Sequence, residues 1–296
     1  MLLPRVVVVT RPTEYDSLLA HWGTRGQVDF FLKARGRSVD EVDEAHAAQV
    51  AALDAVSRAT PPRWRRASVG RGDLDRFLFE PEDLIVAVGQ DGLVANVAKY
   101  LDGQPVIGVN PDPQRVEGVM MRHRPQDVQE LLHAAAAGRL PVEARTLVQA
   151  RADDGQTLLA LNEVFLGHKA HQSARYLLRW GQRRERHSSS GLIVATGTGA
   201  TGWAASIHRS THSGLPLPAP TDPHLIFFAR EPWPSRHTGT RLTEGVLEPG
   251  DALSLTFELG EGAVVFGDGL EADRLELRWG QEVTVSRSTR SLHLAA

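Results

Sequence analysis

Asp83-Leu84-Ile85-Val86-Ala87-Val88 carries five apolar side chains in a row, and Gly89-Gln90-Asp91-Gly92 follows with no spacer. A short continuous apolar run marks a strand buried on both faces, which implies a parallel sheet covered by helices. Residues 93–101 then have the pattern of a helix, Gly103 closes it, and 105–110 form a second apolar strand. This strand–loop–helix–strand unit commits the N-terminal half to an α/β fold. It also sets a carboxylate between glycines at the carboxyl end of the first strand. Ligands of open α/β sheets bind at that edge, where a helix N-terminus attracts phosphate.

The rest of this half agrees. Met1-Leu2-Leu3-Pro4-Arg5 leads into Val6–Val9, and the early Arg5 with no basic stretch ahead of it favours a buried strand over a signal peptide. A polar stretch follows. Ser38-Val39-Asp40-Glu41 has capping-box spacing and opens a helix over 41–57. Asp40, Glu41, Asp43 and Glu44 suit the start of that helix better than a metal site. Pro61-Pro62 with Arg63, Arg65, Arg66 and Arg71 reads as a basic, turn-rich surface, and a helix over 127–137 ends at Gly138.

From about residue 140 the period changes. Residues 143–151 and 156–166 alternate around Asp153-Asp154-Gly155, a hairpin signal. Strand-like runs at 174–180 and 191–196 flank a polar loop from Gly181 to His187, and further runs follow at 224–229, 253–259, 263–266, 282–285 and 291–294. The proline-rich 215–223 is a rigid connector. The expected architecture is an α/β domain over 1–139 and a mainly antiparallel, β-rich domain over 140–296, with the last strand packing back on the first domain.

Composition removes several functions. With a formal net charge of -3 in 296 residues, nothing favours a nucleic-acid or membrane-surface partner. Cysteine is absent, so disulfides, thiolate nucleophiles and Cys-ligated zinc are excluded. Lys33, Lys99 and Lys169 are the only lysines, and none sits in a Gly-Lys-Ser/Thr phosphate loop, which excludes a Walker-type hydrolase. No apolar run is long enough to span a bilayer, and a soluble, cytoplasmic protein is expected.

Gly197, Gly199 and Gly202 satisfy G-x-G-x-x-G behind a strand and ahead of a helical stretch. The acid expected about 20 residues further on would be Asp222, which falls in the proline-rich connector. A Rossmann dehydrogenase thus fits the local motif and fails its context; a turn of closely packed backbone is the alternative. Asn162-Glu163 at a strand end suits ribose hydroxyls, each of which donates and accepts. His168/His171 and His208/His212 lack a third ligand at a diagnostic distance, so no metal site is expected. Arg183, Arg184 and Arg186 could hold a phosphate, but a solvated hairpin loop explains them better.

The order of a Gly-x-Asp-Gly loop, Asn-Glu at a strand end and Thr196-Gly197-Thr198-Gly199 resembles the NAD kinases, which share a fold with diacylglycerol-type lipid kinases. The likeness leans to the mitochondrial-type enzymes and their bacterial relatives. It extends over Pro105-Val106-Ile107-Gly108-Val109-Asn110, Glu117-Gly118, Ser189-Ser190-Gly191-Leu192, Phe228-Ala229-Arg230-Glu231-Pro232 and Asp268-Gly269. The resemblance implies a two-domain NAD kinase fold with the site in the cleft between domains, and transfer of the ATP γ-phosphoryl group to the 2′-hydroxyl of the adenosine ribose of NAD, with Mg²⁺. It implies that Asp91 is catalytic and that Gly89, Gln90, Gly92 and Asn110 line the phosphate and nucleotide site. Asn162 and Glu163 would hold the nicotinamide riboside, with Thr198, Thr201, Gly202, Trp203 and Ser206 around the adenosine. A homodimer is implied as well.

The chain departs from the family loop Gly-Gly-Asp-Gly-Thr at Gln90 and Leu93. A positive φ at Gln90 would strain it, and Leu93 removes a hydroxyl from the first helical turn. Two other readings therefore stand beside the kinase: a non-catalytic NAD(P)-binding regulator, and a kinase for a lipid or sugar alcohol.

Overall fold

The computed structural model describes residues 3–296; Met1 and Leu2, the head of the N-terminal apolar run, lie outside them. The chain divides into two compact units, one of residues up to Glu143 with His293–Ala296, the other Ala144–Leu292.

The first unit contains β1 (Arg5–Thr10), α1 (Glu14–Trp22), α2 (Arg25–Lys33), α3 (Val39–Ala59), β2 (Arg65–Gly70), β3 (Asp83–Val88), α4 (Asp91–Ala98), β4 (Pro105–Val109) and α5 (Val128–Ala136). Its strands run β2-β1-β3-β4, all parallel, and His293 and Leu294 continue the sheet parallel to β4. Every residue of β3 is buried, as its unbroken apolar run requires. Ala52 and Val56 of α3 and Val128 and Leu132 of α5 form one core with Val86, Val88, Ile107 and Val109. The short α4 is buried from Leu93 through Ala98.

Three expectations change here. The polar stretch after β1 holds two nine-residue helices, and its signal lies at their starts. Thr13 and Asp16 form a reciprocal capping box, and Thr24 accepts from the Gln27 N–H. At α3, by contrast, Ser38 accepts only from the Asp40 N–H, so the expected box there is a simple cap. The basic stretch after Pro62 includes β2, an edge strand whose exposed arginines hid its pattern.

The second unit contains β5 (Val142–Ala152), β6 (Thr157–Ala160), β7 (Glu163–His168), β8 (Ala174–Trp180), β9 (Arg183–Ser189), β10 (Leu192–Ala195), α6 (Trp203–Ser210), β11 (Leu225–Ala229), β12 (Glu244–Leu247), β13 (Ala252–Phe257), β14 (Ala263–Gly267), β15 (Leu270–Leu277) and β16 (Glu282–Ala295). One sheet runs β16-β13-β8-β9, with β5 beside β16 and β6 beside β5; the other runs β12-β11-β10-β7-β14-β15. Alternate residues of both, including Val164, Leu166, Tyr176, Leu178, Phe227 and Leu255, share one core. On the outer face of the second sheet, Ala204 and Ile207 of α6 pack over Ile193 and Phe228.

The expected polar loop from Gly181 to His187 is mostly strand. β9 pairs with β8 from Ala174↔Ser189 to Trp180↔Arg183, with only Gly181 and Gln182 turning between. Arg186 meets Glu258, and Arg183 lies over the Trp180 ring. The run 156–166 is two strands, broken at Leu161 and Asn162, and 282–294 is one. β10 pairs antiparallel with both β7 and β11, so the G-x-G-x-x-G stretch has no Rossmann context.

Candidate active site

In the first unit the site begins where β1 and β3 end. The order β2-β1-β3-β4 reverses direction between β1 and β3, which is where open parallel sheets take ligands. Gly89 has φ 149°, a conformation that favours glycine, and its N–H donates to the Val109 carbonyl at 3.1 Å. Gln90 has φ -113° and ψ 159°, ordinary extended backbone, so the departure from glycine adds no strain. Leu93 is 1% exposed and packs inward against α4's neighbours, so its side chain belongs to the core.

Asp91 opens α4, and its carboxylate accepts three backbone N–H groups from the loop after β4. Oδ2 takes Val119 at 2.8 Å, and Oδ1 takes Met120 and Met121, both at 2.9 Å. Such donors orient a carboxylate and keep it close to the loop. Gly108 lies so near this loop that a Cβ would fall 2.1 Å from the Met120 carbonyl oxygen. Asn110 is buried; its Nδ2 donates to the Val116 carbonyl and its Oδ1 accepts from the Asp112 N–H, so its amide shapes the same loop. A cavity of about 320 Å³ is lined by Gly89 through Gly92, Asn110, Glu117 and their neighbours.

In the second unit Asn162, Glu163 and Thr198 lie on two turns that meet. Asp268, between β14 and β15, accepts from the Asn162 N–H at 2.7 Å and the Leu161 N–H at 3.0 Å, and its own N–H donates to the Glu163 carbonyl. Thr196 Oγ1 donates to the Leu161 carbonyl and accepts from the Thr198 and Gly199 N–H groups. The Thr196 N–H donates to the Asn162 carbonyl. Asp268 and Thr196 thus position Asn162 and Glu163, a role that the sequence reading did not give them, although the Asp-Gly dipeptide of a tight turn was its signal. Burial, and then the negative charge of Asp268, push the Glu163 carboxyl up to about 7.

Gly199 lies against the Asn162 carbonyl, where a Cβ would be 2.2 Å from the oxygen; Gly197 lies against the Ala219 carbonyl, at 1.8 Å. The proline-rich connector therefore seals the turn. Asp222 caps it through the Ala219 N–H. The Thr198 hydroxyl is buried and makes no hydrogen bond among the described residues, whereas Thr201 donates to the Thr198 carbonyl. Trp203 stands apart with Phe165, their rings 6.0 Å apart and stacked, with the Arg230 guanidinium 4.9 Å from the indole centre. Trp203 is the one predicted residue lining a cavity of about 670 Å³ with Phe165, His168, Phe266 and Arg274. Gly202 precedes α6, and Ser206 is exposed on it.

No three His, Asp or Glu side chains gather as a metal site among the described residues. No helix among them is long and apolar enough to cross a membrane.

Comparison with solved structures defines the class first. The chain superposes over its whole length on yeast NADH kinase complexed with NADH, at 14% identity, TM-score 0.61 and 84% of that chain. It superposes over 99% of its length on an Archaeoglobus fulgidus NAD kinase in complex with ATP, at 20% identity, TM-score 0.58 and 93% of that chain. The fold is the two-domain NAD kinase fold. No family profile matches the chain. Among curated proteins it is 34% identical to an NAD kinase of Cupriavidus pinatubonensis over 156 residues, 49% of this chain and 50% of the relative. It is 31% identical to human mitochondrial NAD kinase 2 over 191 residues, 48% of this chain and 42% of that one. The chain spans about half the length of the curated relatives it matches. In sequence the chain is similar to NAD kinases over about half its length, and its fold is theirs.

Proposed function

We propose that this protein is an NAD kinase that transfers the γ-phosphoryl group of ATP to the 2′-hydroxyl of the adenosine ribose of NAD, producing NADP. The observation that carries the reading is the Asp91 carboxylate at the reversal point of the parallel sheet, held by three N–H donors. A carboxylate has about four lone-pair sites. Two on Oδ1 and one on Oδ2 are taken, which leaves one on Oδ2 to orient the ribose hydroxyl and accept its proton. Phosphoryl transfer asks the protein chiefly for positioning and charge stabilisation, and an oriented carboxylate supplies the first.

Asn162 and Glu163 grip the riboside hydroxyls, with Asp268 and Thr196 holding both in place. The unpaired Thr198 hydroxyl offers a buried polar contact to the dinucleotide. Mg²⁺ bound with the triphosphate would supply charge neutralisation, and Asp91, the well-held carboxylate of the loop, suits an ion that takes few protein ligands. Gly89, Gly92 and Asn110 shape the phosphate loop; Thr201, Gly202, Trp203 and Ser206 contact the adenosine. A cytoplasmic protein that pairs with a second copy completes the proposal, and light scattering tests the pairing. The unstrained Gln90 and the inward Leu93 speak against a degenerate loop, and the Asn162-Glu163 turn speaks for a dinucleotide over a lipid acceptor.

The test is NADP formation from NAD, ATP and Mg²⁺ by the purified protein beside Asp91→Asn. NADP from the native chain and about a hundredfold less, or lower still, from the variant is the expected result; undiminished turnover by the variant refutes the role of Asp91.

A further inference from the structure

Arg11 directly follows β1, as Gly89-Gln90-Asp91 follows β3, so both stand at the reversal point of the sheet. The stem of Arg11 lies over the loop, its Cγ 3.8 Å from where a Gly89 Cβ would be. Its Nη1 donates to the Gln90 side-chain oxygen at 3.1 Å. Among the described residues this is the only hydrogen bond of the guanidinium, and it makes no ion pair. Arg5, Arg25, Arg37, Arg115 and Arg122 of the same unit each meet a carboxylate. Arg11, half-buried, is held by a neutral amide that orients its charge without cancelling it.

The wall of the adjoining cavity carries negative charge. Its charged lining residues are Asp91 and Glu117, both acids, so a polyanion entering it meets only like charge from the walls. A guanidinium has five N–H donors in a planar fork that matches phosphate oxygens, and Gln90 occupies one of them.

We propose that Arg11 is the phosphate-binding cation of this site, taking the phosphate oxygens of the triphosphate donor, and that Gln90 is a positioning residue that holds it there. The identity of the donor rests on the kinase reading. The side chain that departs from the family loop thereby has a use: its amide fixes the arginine at the edge where the phosphates lie.

The test combines steady-state kinetics with calorimetric titration of Mg²⁺–ATP. Arg11→Ala is expected to raise the ATP KM roughly ten- to hundredfold, the worth of a charge-assisted contact, with the NAD KM unchanged. Arg11→Lys restores part of that loss. Gln90→Ala raises the ATP KM about threefold to tenfold, and adding it to Arg11→Ala costs nothing further, because it acts through Arg11. Thermal melts identify a variant that fails to fold; Arg11→Lys and Gln90→Ala then carry the test. An Arg11→Ala protein with native ATP KM and affinity overturns the proposal, as does a native chain that binds no ATP. ATP binding weakened by Arg11→Ala without any NADP formation keeps the proposal and refutes the NAD kinase reading. NADP formation with unaltered ATP KM does the reverse.

Discussion

The two glycine-rich turns look alike in sequence and use glycine for opposite reasons. At Gly89 the backbone conformation demands it, while a Cβ would meet nothing closer than 3.7 Å. At Gly197 and Gly199 the conformation is ordinary and the space is absent, because the carbonyls of Ala219 and Asn162 press against the chain. The first turn is open, with Gln90 exposed and room around Gly92; the second is sealed by the proline-rich connector. An open turn tolerates a changed side chain, and a sealed one does not.

That contrast breaks most directly at Gly199→Ala and Gly197→Ala. Each forces a methyl group into a backbone carbonyl, and each is expected to cost about 3 kcal/mol, read as a lowered denaturation midpoint. A midpoint near that of the native chain would show that the connector yields. In the open turn, Asp91→Asn turns an amide N–H₂ or a neutral oxygen toward three N–H donors and removes the proton acceptor. NADP formation is expected to drop about a hundredfold or more, measured with both substrates saturating.

Glu163 gives the comparison a pH dependence. Its carboxyl lies at about 7 in the fold, above the usual 4.5. Between those values the folded chain holds a proton that the unfolded chain has released, so the Glu163 contribution to stability is greatest at low pH. It declines as pH rises from about 4.5 to 7. Glu163→Gln is expected to flatten that part of the stability–pH curve, followed by urea denaturation across the range. The smallest effects belong to the open turn's backbone. Gly92→Ala, with nothing within 4 Å of the new methyl, and Gln90→Gly are each expected to move stability by less than about 1 kcal/mol in thermal melts.

Legibility followed distance along the chain. The buried strand at Asp83–Val88 and the acid after it were plain, because an apolar run and a glycine-flanked carboxylate are local signals. The short helices α1 and α2 were missed because each buries little: α1 has no fully buried residue, and the caps at Thr13 and Thr24 carry the signal. β9 was missed because an edge strand keeps its outward arginines in water. The position of Asp91 could be read, but not its three donors, which come from 28 to 30 residues further on. The hold of Asp268 on Asn162 spans 106 residues and leaves no local trace except a turn dipeptide.

By itself the sequence determined the order of α/β and β-rich halves and marked Asp91, Asn162 and Glu163 as candidates, because periodicity and motif are properties of neighbouring residues. Tertiary structure alone decided that Gln90 is unstrained, that Leu93 faces the core, that Gly197 and Gly199 have no room for a side chain, and that Glu163 holds its proton to about pH 7. Each of those depends on which distant groups crowd, pair with or desolvate a residue, and only the folded chain brings them together.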